Sequence, residues 1–307
     1  MRPDLARAVL ANAVRRHLYL AARCSFGVKE VREMLQKLRV WAALAFWAPE
    51  LLLSLVVQRV RTTRPVPGRI TRVGGIELPL APSLPREGAF LEYLTQIGCG
   101  TYEPCAIHLV RKLLPRGGVF FDVGANIGYF SAVAAARVGP RGQVHAFDVD
   151  PRCVENLRAL KARNPRYDIR PVHAAVGASS EPVQFEPRAN CTWTSLRDAT
   201  GGKGSGERVT VAGITLSEYI LRGNAAAPHL LKIDVEGFEH DVLRGLRPYL
   251  ERGTRRPPIL MEIAGDSSSL RDLIVALGYD ICSTVPPFRS ARSSGRVSNV
   301  LLVPSGR

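Results

Sequence analysis

Cysteine is scarce and poorly spaced for chemistry: six residues (Cys24, Cys99, Cys105, Cys153, Cys191 and Cys282) are scattered without one Cys-x-x-Cys pair. That pattern excludes a disulfide framework and a zinc ribbon, and it fits a reducing compartment. No cluster shows metal-ligand spacing, though an acid-lined site could admit a magnesium ion. Acidic residues are also in short supply, 27 Asp and Glu against 42 Lys and Arg, a net charge of +15. Long uninterrupted apolar runs are missing. The most apolar stretch, residues 40–57, is broken by Pro49-Glu50 and has basic residues on both flanks. It therefore reads as a helix lying at an interface or packed on protein, not one that spans a bilayer. A cleavable secretory leader is not expected either, because arginines interrupt the first apolar residues.

The basic excess is concentrated at the start. Through Arg72 there are 14 basic and 4 acidic residues, and the remaining chain has 28 and 23. Residues 1–39 alternate apolar and basic positions at helical spacing, which predicts two amphipathic helices. The Pro- and Gly-rich stretch that follows carries the domain boundary, so residues 1–72 form a basic helical extension and residues 73–307 the main domain. An anionic membrane surface suits such an arm; Trp41 and Trp47 fit either a headgroup boundary or a protein contact. The expected location is the cytoplasm, with peripheral contact at the inner face of a membrane. Nucleic acid is disfavoured as a partner, because the main domain is only mildly basic and lacks a basic stretch interleaved with aromatics.

The chain is organised around residues 119–133. An apolar run ends in Asp122, a turn of glycines and small residues follows, and an alanine-rich helical pattern closes at Gly139-Pro140. This predicts strand, tight turn and helix, a nucleotide-cofactor pocket. The dinucleotide fingerprint requires glycines at first, third and sixth positions, but counting from Gly124 those are Gly124, Asn126 and Tyr129. A nicotinamide cofactor is thereby disfavoured. What remains, Asp122-x-Gly124-x-Asn126-x-Gly128, resembles motif I of the class I S-adenosylmethionine methyltransferases. Their cofactor presents an ammonium and a sulfonium, so a carboxylate such as Asp122 suits its methionine end.

Further strands follow in alternation with helices. Gln143 to Asp148 ends in acids, and Asp148 lies where open α/β folds place a carboxylate for ribose hydroxyls. Asp150 and Pro151 read as cap and first residue of the next helix, closed at Asn164-Pro165. Ile169 to Val176 reads as one strand, with small residues at Ala174 and Ala175 leaving room for an adenine ring. Asn190 to Ser195 reads as a surface turn, before the flexible glycine-rich loop at residues 201–206. Leu230-Leu-Lys-Ile-Asp-Val-Glu-Gly then places Lys232, Asp234 and Glu236 on one face of an extended strand. Such charges must be paired or used; a self-neutralising Lys232–Asp234 pair and a catalytic group are both consistent with the pattern. Glu262 ends a fifth strand. Alternation closing in two strands joined by a Ser/Arg/Pro-rich loop predicts a doubly wound, mostly parallel, seven-stranded α/β sheet finished by a hairpin.

Phe121-Asp-Val-Gly-Ala-Asn-Ile-Gly-Tyr-Phe-Ser131, Ala146-Phe-Asp-Val-Asp-Pro151, Ala174-Ala-Val-Gly177, Leu231-Lys-Ile-Asp-Val-Glu-Gly-Phe-Glu239 and Pro258-Ile-Leu-Met-Glu262 together resemble the FkbM family of S-adenosylmethionine-dependent methyltransferases, across roughly residues 90 to 303. The pattern differs at Asp148, where the family usually has Glu. The resemblance implies O-methylation of a sugar, glycolipid or other small-molecule hydroxyl. It implies cofactor contacts from Glu103 (in Tyr102-Glu103-Pro104), Asp122, Gly124, Asn126, Gly128, Asp148 and Ala175. The proton acceptor is then Asp234 or Glu236, oriented by Lys232, with His240 a weaker candidate. The competing classes are a nicotinamide-dependent oxidoreductase and a non-catalytic binding protein at a membrane surface.

Overall fold

The computed structural model describes residues 70–84, 102–185, 208–253, 255–263, 268–284 and 298–306. The helices expected within residues 1–69, the apolar stretch 40–57, the turn 190–195 and the loop 201–206 lie outside the described residues.

The described chain opens with a hairpin, β1 (Ile70–Val73) and β2 (Ile76–Pro79). Gly74 and Gly75 join the strands, both at positive φ (58° and 89°), as a two-residue hairpin turn requires. The boundary expected between residues 72 and 73 falls inside β1. Asn164 holds the hairpin in place: its Oδ1 accepts from Glu77 N at 3.0 Å and its Nδ2 donates to Glu77 O at 2.7 Å.

Helix α1 (Pro104–Leu113) precedes β3 (Val119–Val123). Then come α2 (Tyr129–Val138), β4 (Gln143–Asp148), α3 (Pro151–Arg163) and β5 (Asp168–His173). Asp150 caps α3 as expected, its side chain accepting from Arg152 N, with Pro151 at the first helical position. The strand expected over 169–176 breaks at Ala174. Residues Ala175–Val176 form β6, which leaves the main sheet and pairs in parallel with β9 (Gly213–Ile214). Between them β7 (Val183–Phe185) and β8 (Val209–Val211) pair antiparallel. Helix α4 (Leu216–Leu221) starts from Thr215, whose hydroxyl accepts from Glu218 N. It is followed by β10 (Leu230–Ile233), α5 (Glu239–Glu251), β11 (Ile259–Ile263), α6 (Ser268–Ala276), β12 (Tyr279–Ser283) and β13 (Ser298–Pro304).

The main sheet has seven strands in the order β12-β13-β11-β10-β3-β4-β5. Strands β11, β10, β3, β4 and β5 are parallel, and β13 runs antiparallel to both its neighbours. Side chains alternate between two cores: Phe120 and Leu230 pack with α1, α2, α3 and the hairpin, while Phe121 and Leu231 pack with α4, α5 and α6. Helices cover both faces, which is why these strands read as continuous apolar runs. Chain order proceeds outward from β3 through β4 to β5, then resumes on the other side of β3 with β10. The carboxyl ends of β3 and β10 therefore flank the topological switch point, where such sheets gather ligands.

Candidate functional site

On one side of the switch point lies the glycine loop. Gly124, Asn126 and Gly128 all take positive φ, 77°, 53° and 88°. At Gly124 no side chain is admissible: a Cβ would lie 1.8 Å from the Asp234 carbonyl oxygen. The loop after β3 and the segment leaving β10 are thus in backbone contact, and Asp234 N donates to Val123 O at 3.0 Å. Asn126 tolerates the left-handed region as Asn often does, with its Oδ1 accepting from Ile127 N at 2.7 Å.

Polar groups here serve one another. Gly124 N and Ala125 N donate to Phe147 O. Asp148 Oδ2 accepts from Asn126 N at 2.7 Å, and its Oδ1 from Asp150 N at 2.9 Å. Asn156 joins the loop to the hairpin connection, donating to Ile127 O at 2.7 Å and accepting from Ala81 N at 2.8 Å. Asp148, expected to bind ribose, is thus first a brace for the loop. Burial pushes its carboxyl up to about 7, against the pull of the two backbone N–H groups. Ala175 packs in a small separate core with Phe185 and Val211.

On the other side charges collect. Lys232 is 4% exposed. Its Nζ lies 2.6 Å from Asp234 Oδ2 and 4.7 Å from the centre of the Phe130 ring, so the ammonium is held by a carboxylate and an aromatic face together. Asp122 sits beside Lys232 in the β3–β10 register and accepts from Ser131 Oγ at 2.6 Å. Being 1% exposed, Asp122 is a buried partner of this cluster. Burial pushes its carboxyl above the usual carboxylate range, opposed by Lys232 and Ser131. Burial pulls the Lys232 ammonium down, but Asp234, Glu103 and Asp122 outweigh it and hold it above the ordinary lysine range.

The strand itself ends at Ile233. Glu236 adopts φ 50° in the following turn, so the alternation expected to align it with Lys232 and Asp234 does not reach it. The turn forms because Gly237, at φ 100°, donates its N–H to Glu239 Oε1 and leads straight into α5. His240 is half-buried in the first turn of α5.

Glu103 enters from the N-terminus of α1, in a left-handed conformation (φ 40°) with no side-chain cap bond. One oxygen each of Glu103, Asp234 and Glu262 lie within 4.8 Å of one another. Burial raises the Glu103 carboxyl, opposed by Lys232 and by the side chains of Tyr102 and Asn299. Burial likewise raises Glu262, reinforced by the repulsion of Asp234 and Glu103. Glu262 was not among the expected site residues. Its signal was available in the sequence: a carboxylate at the end of the parallel strand next to β10. Phe130 and Ser131 were missed too, being hidden in a helix whose other residues are core.

The acidic enclosure fits S-adenosylmethionine by its chemistry. Asp122, Asp234, Glu103 and Glu262 face a single ammonium, which favours a cationic ligand over a phosphate-bearing one.

Comparison with known proteins adds to this geometry. The family model described as the Methyltransferase FkbM domain matches residues 122–281. The hexuronic acid methyltransferase AglP of Haloferax volcanii is 28% identical over 149 residues, covering 48% of this chain and 58% of that protein. The 31-O-demethyl-FK506 methyltransferase FkbM of Streptomyces tacrolimicus is 32% identical over 160 residues, covering 43% and 61%. The alignments span about three-fifths of the length of these relatives. A crystal structure of methyltransferase FkbM from Methylobacillus flagellatus aligns with a TM-score of 0.42 at 13% identity, covering 85% of this chain and 60% of that one.

Proposed function

The chain belongs to the FkbM-domain methyltransferases, and from that premise we propose that it methylates a hydroxyl group of a sugar, glycolipid or other small-molecule acceptor. Its cofactor is S-adenosylmethionine. That cofactor supplies a methyl group already activated on a sulfonium, so the chain's own residues have to align an acceptor oxygen and take its proton. As the carbon–oxygen bond forms and the carbon–sulfur bond breaks, the hydroxyl proton passes to a carboxylate after β10, Asp234 or Glu236. Lys232 fixes the first of these at 2.6 Å. The proposed cofactor contacts are the Gly124–Gly128 turn, Asp148 at the ribose and Glu103 near the cationic end.

The observation that carries this reading is the acidic enclosure at the carboxyl ends of β10 and β11. The relative named for hexuronic acid supports a glycan acceptor. The test is transfer of labelled methyl from S-adenosylmethionine to a panel of neutral glycosides and the matching uronides. Labelling of either class that is lost in Asp234→Asn or Glu236→Gln supports the reading. Labelling of neither by a folded chain would contradict it.

We further propose that residues 1–72 bring the enzyme to an anionic membrane surface from the cytoplasmic side. The charge of that segment supports this. Among the described residues no helix is long and apolar enough to cross a membrane. Sedimentation of the full chain with phosphatidylserine vesicles, compared with neutral vesicles, tests it; equal recovery would sink it.

A further inference from the structure

We propose that Glu103, Asp234 and Glu262 bind one divalent, oxygen-preferring cation such as magnesium or manganese. Three elements distant in sequence converge to form the site: the residue before α1, the segment leaving β10 and the end of β11. Each offers one carboxylate oxygen, and the three oxygens lie within 4.8 Å of one another. That spacing suits a hard cation with ligands at about 2.0–2.6 Å.

A second observation points to a ligand. Glu103 Oε2 is buried and has no hydrogen-bond partner. A buried carboxylate oxygen left so carries a substantial desolvation cost, and Glu103 is a member of the triad. The backbone geometry that brings it there is itself unfavourable, since a glutamate at φ 40° occupies a region that L-residues rarely adopt.

Charge complementarity favours a cation. The enclosure holds four carboxyl groups, the triad and Asp122, beside the single ammonium of Lys232. Three carboxylates would leave a six-coordinate ion positions for water or for acceptor hydroxyls. A hydroxyl bound there loses its proton more readily. With Asp234 engaged as a ligand, acceptance of that proton falls to Glu236. This last step rests on the methyltransferase reading; binding of the ion does not.

The test uses the full chain, stripped with a chelator and titrated with manganese, with free ion followed by paramagnetic resonance. One equivalent should bind, and magnesium should displace it. Glu262→Gln and Glu103→Gln should each weaken manganese binding by tenfold or more in a protein that still unfolds cooperatively. Absence of manganese binding to a folded, cofactor-binding chain would overturn the proposal, as would binding that survives both substitutions unchanged. Failure to bind the cofactor while manganese still binds would count against the methyltransferase reading alone.

Discussion

The two sides of the switch point are built on opposite terms. On the glycine-loop side, Asp148, Asn126, Asp150 and Asn156 are joined to backbone N–H and C=O groups by short hydrogen bonds. On the β10–β11 side, one lysine faces four carboxylates, and an oxygen of Glu103 is buried without a partner. The first arrangement is closed on itself and holds a shape. The second is charged beyond its own means, and the missing charge must come from a ligand or from protons. Both meet at Gly124, where a methyl group would strike the carbonyl of Asp234, so the shape of one side sets the position of the other.

The comparison can be broken most forcefully at Lys232. Lys232→Met should destabilise the chain by about 3–5 kcal/mol, because it leaves buried carboxylates without their ammonium. Denaturant unfolding measures this. A loss below about 1 kcal/mol would mean that the acidic side is already neutralised by protons. On the other side, Asn156→Ala should cost about 3 kcal/mol, since Ala81 N and Ile127 O both lose their buried partner. It should also loosen the glycine loop, seen as faster amide exchange at Gly128.

A third, smaller effect belongs to neither side. His145 is fully buried on β4 among Phe121, Phe147 and Tyr219, with its Nδ1 2.9 Å from the Tyr219 hydroxyl. Burial, aided by Arg170, pulls its pKa from 6.5 down to about 4. Below pH 6.5 the unfolded chain takes up a proton that the folded chain refuses. The contribution to stability is therefore complete above pH 6.5 and is lost as the pH falls toward 4, by roughly 3 kcal/mol. Melting temperatures across that window should fall with pH, and His145→Phe should flatten the slope.

Much of the architecture was legible because local rules and tertiary packing agree. The apolar run 119–123, the Asp150-Pro151 helix start, the Gly74-Gly75 hairpin and the closing antiparallel pair all follow from periodicity and turn chemistry. The departures have specific causes. Residues 169–176 look like one strand, but Ala175 and Val176 find a different partner in Gly213–Ile214. Glu236 fails to line up because the strand ends at Ile233 and a left-handed turn intervenes. Asp148 has the spacing of a ribose ligand, and only the fold reveals that both its oxygens already accept backbone N–H groups. The carboxylate triad was legible only in its members: Glu103 and Asp234 stand in recognisable motifs and Glu262 at a strand end, but no local spacing signals that two strand ends and a helix start will converge.

The most direct test of the account is titration of S-adenosylmethionine into the full chain by calorimetry, beside Glu103→Gln and the hairpin-side Asn164→Ala. The wild type should bind, and Glu103→Gln should weaken that binding tenfold or more. Asn164→Ala should lower thermal stability and leave the affinity nearly unchanged. A folded chain that does not bind the cofactor, or that binds it equally well without the Glu103 carboxylate, would contradict the assignment of the acidic side as the ligand-binding one.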